Sequence, residues 1–592
     1  MAGSRPSPGP ERYWTFHSNL THWSATGDPL PVMAQKIPSI QDGDWKVNPD
    51  GTMVTTWKIR PDIYWHDGTK LTAQDFVFGF EVALDPRLTV QELVPLRPIA
   101  SVEAPDAQTL VINWKQLWIY GNSNAQHGVP ALPRQQVEAR YRSEDPVAFD
   151  ASAAWRDEFI GLGPFKVVKW DLGNFVEAQA FDQYFQGRPK IDKITFKFVA
   201  DVNVEVAQFL AGAIDVGLIG SMLKPTQLTE LRNQWGPGKG MVFSDATLMR
   251  MLQFSFRVDG QPWDPKSMGW ADDKRFRQAM FYAIDRKELV DVWGVGGYAQ
   301  AGEYLTLGPD DPVTALARQR NIPTYQYDLK KATQLFSDAG WNKAADGMLR
   351  NSAGQTVTFV CCRLASADSN DNRESLAWGQ YWKTLGMDVI HPIQPVPAGL
   401  AATDARKAGL FGWGGRISNW YFSVSQHYAQ LIQSNSPNDA NRWTGSNGGG
   451  YLNVSYDKLF DQRMQTLAVD QRREVELQLV AAMAEELPVL PVYYNPLGLV
   501  ARDGITGFAT KCGDLKSCAG GTVLDDAVTL ISGTSSRLSA CRFQPAPIWL
   551  SFSKSLEREY SPGPSVGNGT WPVARQVSGP TPWSRWLRPP LR

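Results

Sequence analysis

Residues 57–85, WKIRPDIYWHDGTKLTAQDFVFGFEVALD, constrain the fold of this chain more than any other stretch. Trp57, Ile59 and Ile63 fall in an extended, partly alternating run that predicts a strand. His66-Asp67-Gly68 supplies a tight turn, because glycine takes a left-handed conformation at no steric cost. Thr72, with Asp75 three residues on, is a variant of the capping box and predicts a helix start. Phe76, Phe80 and Leu84 then recur at helical spacing. Strand, turn and cap account for every residue here. His66 and Asp67 are therefore expected on a surface turn with no ligand or metal role.

A chain of 592 residues exceeds one ordinary core and predicts two to four folding units. Hydrophobic residues at 43% and charged residues at 20% place it among globular proteins. A formal net charge of −1 with no long basic run argues against nucleic acid as a partner. No run of about 18 consecutive apolar residues is present to form a membrane-spanning helix. The opening MAGSRPSPGPERYW lacks the apolar core of an export signal, so the text taken literally stays in the cytoplasm. Of the five cysteines, Cys361 and Cys362 sit in the strand-like TVTFVCC and are expected to pack as small apolar residues. Cys512, Cys518 and Cys541 lie far away, no CxxC pair occurs, and the six histidines are scattered, so neither a metal nor a cofactor is expected.

Residues 1–12 read as a flexible tail. Asn48-Pro49-Asp50-Gly51 is a hairpin turn between DWKV and TMVTTWKI, and SVEAPDAQTLVINW is a second strand pair turning at Pro105-Asp106. FKVVKW and FVEAQAF are strands joined by Asp171-Leu172-Gly173-Asn174. Residues 272–292, DDKRFRQAMFYAIDRKELVDV, read as one amphipathic helix with acids at its start. DLKKATQLFSDAGW reads as a helix capped by Asp328 and stopped by Gly340. RESLAWGQYWKTLG and DQRREVELQLVAAMAEEL are further helices, the last followed by the strand text PVLPVYYNPLGLV. Beyond about residue 511 the text is rich in Ser, Pro, Arg, Gly and isolated Trp with no sustained period, and is expected to add nothing to the fold.

Several passages in order, WKIRPDIYWHDGTKLTAQDFVFGFEVALD, GLGPFKVVKWDLGNFVEAQAFDQYFQGRPKIDKITFKF, FRQAMFYAIDR and YDLKKATQLFSDAGW, resemble the family 5 extracellular solute-binding proteins of peptide-type ABC importers. The resemblance runs from about Phe16 to Phe508. It implies an α/β, bilobed periplasmic-binding-protein-like fold of type II with an extra small domain, its discontinuous lobes joined by a hinge. Lobe I would comprise 13–35, 156–255 and 490–510, without the family's leading strand. The small insert would be 36–155, lobe II 256–489, and 511–592 a disordered or aberrant tail. The implied role is capture of a peptide, oligosaccharide or small acid by a monomer outside the cytoplasmic membrane, for delivery to ABC permease subunits. A sensor on the same fold, or a truncated non-functional relative, are the alternatives.

No GxSxG elbow, HExxH, P-loop or helix-opening GxGxxG occurs, so no catalytic residues are assigned. The densest aromatic text with polar residues between is FGWGGRISNWYF. There Trp413, Arg416, Asn419, Trp420 and Tyr421 form the candidate ligand wall, with Gly412, Gly414 and Gly415 allowing close backbone approach. Peptide-binding members of the family carry an acid in this segment for the ligand's amino group. Here Trp413 matches while Arg416 and Asn419 replace the acid, which implies an anionic or neutral ligand group.

Overall fold

The computed structural model describes residues 10–23, 28–88, 95–125, 128–199, 201–217, 223, 225–235, 240–257, 272–293, 299–306, 308, 311–361, 370–391, 404, 407, 414–421, 428–441, 443, 445–503, 505 and 549–553. Two larger sheets organise it.

The first is a four-stranded antiparallel sheet of two hairpins in the order Trp45–Val47, Met53–Lys58, Thr109–Trp114, Ile99–Asp106. Its hairpin closes as the sequence requires: the Asn48 N–H donates to the Thr52 carbonyl at 2.8 Å, and Gly51 takes φ 84°. The second pair turns at Ala107-Gln108, two residues later than expected, because the Asp106 carboxylate accepts from the Gln108 N–H at 2.8 Å and the Thr109 hydroxyl at 2.6 Å. The helix Ala73–Leu84 packs along this sheet. Its start follows the cap text, with the Asp75 carboxylate accepting from the Thr72 N–H at 2.8 Å.

The second sheet has nine strands among the described residues, and its ladder pairs are antiparallel. Its order is Gly415–Tyr421, Gly240–Phe254, Val489–Arg502, Val216–Gly217, Trp549–Ser553, Lys193–Lys197, Phe175–Ala180, Phe165–Asp171, with Gln300–Ala301 also pairing to Val489–Arg502. Two long strands, Gly240–Phe254 and Val489–Arg502, form its spine. Their register is continuous from Gly240 to Asp245, slips before Leu248, and slips again between Arg250 and Met251. Such irregularities bend a strand and increase its twist. The far half of the spine runs between two apolar clusters. Met249, Met251 and Tyr494 belong to one, with the small sheet and the helices Val454–Met464 and Val469–Glu486. Leu252, Phe254 and Tyr493 belong to the other, with the helices Lys274–Tyr282 and Asn370–Thr384.

Three expectations change. The helix foreseen over 272–292 is two helices, Lys274–Tyr282 and Arg286–Trp293. Asp285 interrupts it: its carboxylate accepts from the Glu288 N–H at 3.0 Å, as an N-cap does, and so starts a new helix. His66 is not a free surface residue. Asp67 and Gly68 are exposed, but the His66 ring reaches inward: its Nδ1 accepts from the Gly161 N–H at 3.2 Å, and its Nε2 lies 2.9 Å from the Gly163 carbonyl. Only the neutral ring with the proton on Nε2 makes both bonds, and burial lowers its pKa to about 4. His66 therefore ties the small sheet to the loop entering Phe165–Asp171. Third, Trp549–Ser553 lies inside the second sheet, which corrects the view of 511–592 as wholly outside the fold. Leu550 and Phe552 alternate with Ser551 and Ser553, a period too brief to read, and they stand in register with the buried Phe196 and Ile194.

Candidate functional site

The strand Gly240–Phe254 and its continuation read MRMLQFSF over 249–256, an apolar strand interrupted by Arg250, Gln253 and Ser255. Polar groups inside an apolar strand must find partners, and the two faces do so differently. Arg250 meets the helix Asn370–Thr384. Its Nε donates to both Glu374 carboxylate oxygens at 2.8 Å, and the Tyr493 hydroxyl donates to the same carboxylate. Arg250 and Glu374 side chains are 5% and 7% exposed, so this ion pair is held almost without water. Burial drives the Tyr493 phenol well above its ordinary pKa. The arrangement is closed and reads as a lock between strand and helix.

The Gln253 position faces the other way. Gln253 pairs in register with Arg416 on the neighbouring strand Gly415–Tyr421, and the Arg416 Nε donates to the Gln253 Oε1 at 3.1 Å. Burial lowers the Arg416 pKa to about 10, which leaves it charged at neutral pH. The Gln253 Nε2 and Ser255 Oγ are buried and have no hydrogen-bond partner among the described residues. Ser255 lies two positions along the strand, and its N–H donates to the Gly414 carbonyl at 2.8 Å. Leaving a buried donor unmade costs about 1–3 kcal/mol. Three donor groups thus gather at one end of the strand pair, and a carboxylate, carbonyl or sugar hydroxyl is the complementary chemistry.

Of the candidate wall, Trp413 lies outside the described residues. Arg416 is half-buried beside Gln253. For Asn419, Trp420 and Tyr421 the backbone register is described: they stand opposite Arg250, Met249 and Leu248. Strand alternation puts positions 416 and 420 on one face and positions 419 and 421 on the other. One continuous wall is therefore not what the register brings together. Arg416 and Trp420 share a face with Gln253, while Asn419 shares the face of the Arg250–Glu374 lock. Gly415 allows a close approach of a different kind, since a Cβ there would lie 2.6 Å from the Phe359 ring. Gln253 and Ser255 were missed because no motif marks them. The available signal was two polar residues at alternate positions in an apolar strand.

No group of three or more His, Cys, Asp or Glu side chains is placed to hold a metal among the described residues. No helix among them is long and apolar enough to cross a membrane. Two long antiparallel strands passing between two apolar clusters, with helices packed on both, make a mixed α/β architecture of the kind found in solute-binding proteins. Residues 37–442 match the family described as bacterial extracellular solute-binding proteins, family 5 Middle, and the chain belongs to that family. It is 25% identical over 466 residues, 78% of each chain, to the oligopeptide-binding protein AppA of Bacillus subtilis. In fold it is similar to the oligopeptide-binding protein of Thermus thermophilus complexed with a pentapeptide, with TM-score 0.70, 22% identity and coverage of 89% and 92% of the two chains. NikZ of Campylobacter jejuni in complex with Ni(L-His) is similar at TM-score 0.69 and 21% identity, covering 86% and 94%.

Proposed function

We propose that this protein is the extracytoplasmic receptor of an ABC importer. It captures a peptide or similar small solute between its lobes as a monomer and delivers it to the permease subunits, without catalysing a reaction. The observation that carries the ligand-binding part is the buried donor set of Arg416, Gln253 and Ser255. A guanidinium beside the proposed site favours an anionic or neutral acceptor over an ammonium group. The lobes are assigned as 13–35, 156–255 and 490–510 against 256–489, with 36–155 as the insert. Trp413 and Trp420 complete the proposed ligand-binding set, while Asn419 and Tyr421 stand at positions of the opposite face and are left out of it. The relatives' peptide and nickel–histidine ligands support small solutes of this size class.

The test is a thermal-shift screen across peptides, oligosaccharides and small acids, followed by calorimetry on Arg416→Ala. A ligand at about a hundred times its Kd stabilises by roughly 2.7 kcal/mol. The expected result is a shift with acidic or neutral solutes, and a loss of affinity of about 10-fold or more in the variant. Unchanged affinity in Arg416→Ala would remove the residue from the site.

A further inference from the structure

The second sheet is continuous only through a segment remote in sequence. Trp549–Ser553 pairs along its whole length with Lys193–Lys197, and Trp549 and Leu550 pair on the other side with Gly217 and Val216. Both pairings are antiparallel. Among the described residues it is the one ladder link between the spine side of the sheet and the hairpin side, Phe165–Asp171, Phe175–Ala180 and Lys193–Lys197. Without it, two strand edges would face each other with a row of unmade N–H and C=O groups on each.

The slot has a side-chain code as well as a backbone one. On its floor Ile194, Phe196 and Val216 are fully buried. Phe552 stands in register with Ile194, and Leu550 with both Phe196 and Val216. Trp549, Ser551 and Ser553 fall opposite Lys197, Thr195 and Lys193. The five residues thus pair along their whole length with one edge, and the first two of them also pair with the other.

We propose that the gap between Lys193–Lys197 and Val216–Gly217 is a strand-accepting site, separate from the solute site, and that Trp549–Ser553 is its exchangeable resident. It recognises an extended segment by main-chain hydrogen bonds plus two alternate apolar side chains, as strand-addition sites do. Since Leu550 is paired on both sides, its N–H serves one neighbour or the other, and a proline there removes a ladder bond in either case.

The experiment uses the full chain with Leu550→Pro, the full chain with Ser551→Ala as a control, and a synthetic peptide of residues 546–556. Hydrogen exchange is followed over 193–197 and 175–180. The expected result is that Leu550→Pro speeds exchange over 193–197 by tenfold or more while Ser551→Ala does not. Added peptide should bind the proline variant and restore protection, and the same peptide with Phe552→Asp should do neither. Equal exchange in Leu550→Pro and the native chain would overturn the proposal. So would lost protection that the peptide cannot restore, which would make the strand a fixed part of the sheet. Should the proline variant fail to fold, the peptide is offered to the native chain in excess: slow exchange of label into the slot supports the proposal, and no incorporation overturns it. A concentration-dependent dimer of the native chain that keeps full protection at 193–197 would place a second copy's strand in the slot and overturn the intramolecular assignment.

Discussion

The four-stranded sheet and the nine-stranded sheet are built from the same hydrogen bonds by opposite routes. The four-stranded sheet takes its strands from 45–114, and each hairpin closes on turn residues beside it. The nine-stranded sheet joins segments from 165 to 553, and its spine pairs residues about 250 apart in sequence, such as Gly240 with Arg502. Local pairing follows turn chemistry. Distant pairing follows which apolar faces can be buried together, at a larger chain-entropy cost. The polar groups differ in the same way. In the four-stranded sheet the Trp114 Nε1 donates to the Thr55 Oγ1 at 3.0 Å, a bond between neighbouring strands of the same sheet. In the spine, Arg250 reaches a helix 124 residues away, and the Gln253 Nε2 and Ser255 Oγ have no hydrogen-bond partner among the described residues.

If that contrast is right, the spine should depend most on its buried ion pair. Glu374→Ala should destabilise by about 3–5 kcal/mol, because Arg250 would be left buried and uncompensated. Urea unfolding measures it, and Arg250→Met combined with Glu374→Leu should recover much of the loss. A single-variant loss below about 1 kcal/mol would mean the pair is hydrated in solution. The four-stranded sheet should instead depend on apolar volume. Trp57 is fully buried, and Trp57→Ala should cost about 3–5 kcal/mol by the same assay with no rescue from a charge change elsewhere.

The junction between the two sheets should respond to acid. His66 is held neutral, with a folded pKa of about 4 against an ordinary 6.5. Its stabilisation is complete above pH 6.5 and falls as pH drops from 6.5 towards 4, by about 1.4 kcal/mol for each pH unit at most. His17, buried against Trp65 with a pKa lowered to about 3, adds a loss of the same sign. Comparing urea midpoints at pH 7 and pH 5 for the native chain and His66→Gln should show a smaller acid loss in the variant. An identical acid loss would place the titration elsewhere. The smallest effect is expected at the open end of the spine. Ser255→Ala removes a buried hydroxyl with no partner among the described residues and should leave stability unchanged or raise it by up to about 1 kcal/mol. A clear loss would show that the hydroxyl is already bonded.

The local turns and caps of both sheets and their helices were legible in the sequence. The Asn48–Gly51 turn, the Thr72–Asp75 cap and the Asp171–Asn174 turn all form where their residues call for them. Asp328 caps its helix through the Lys330 and Lys331 N–H groups at 2.9 Å, and Gly340 ends it at φ 85°. Each needs only neighbours within a few residues. The candidate site was legible in part: Arg416 sits beside buried donors, but the aromatic text around it spreads over both faces of a strand. Composition shows that aromatic and polar residues are close in sequence, while alternation decides which of them are close in space.

By itself, then, the sequence determined the local turns and caps and the family. Tertiary structure alone decided that Gln253 and Ser255 join Arg416, that Arg250 is locked to Glu374, that His66 reaches across to Gly161 and Gly163, and that Trp549–Ser553 enters the main sheet. The reason is range. A cap or turn is settled by bonds between residues three or four apart, whereas a register between strands hundreds of residues apart depends on which faces are left to bury once every other element has packed.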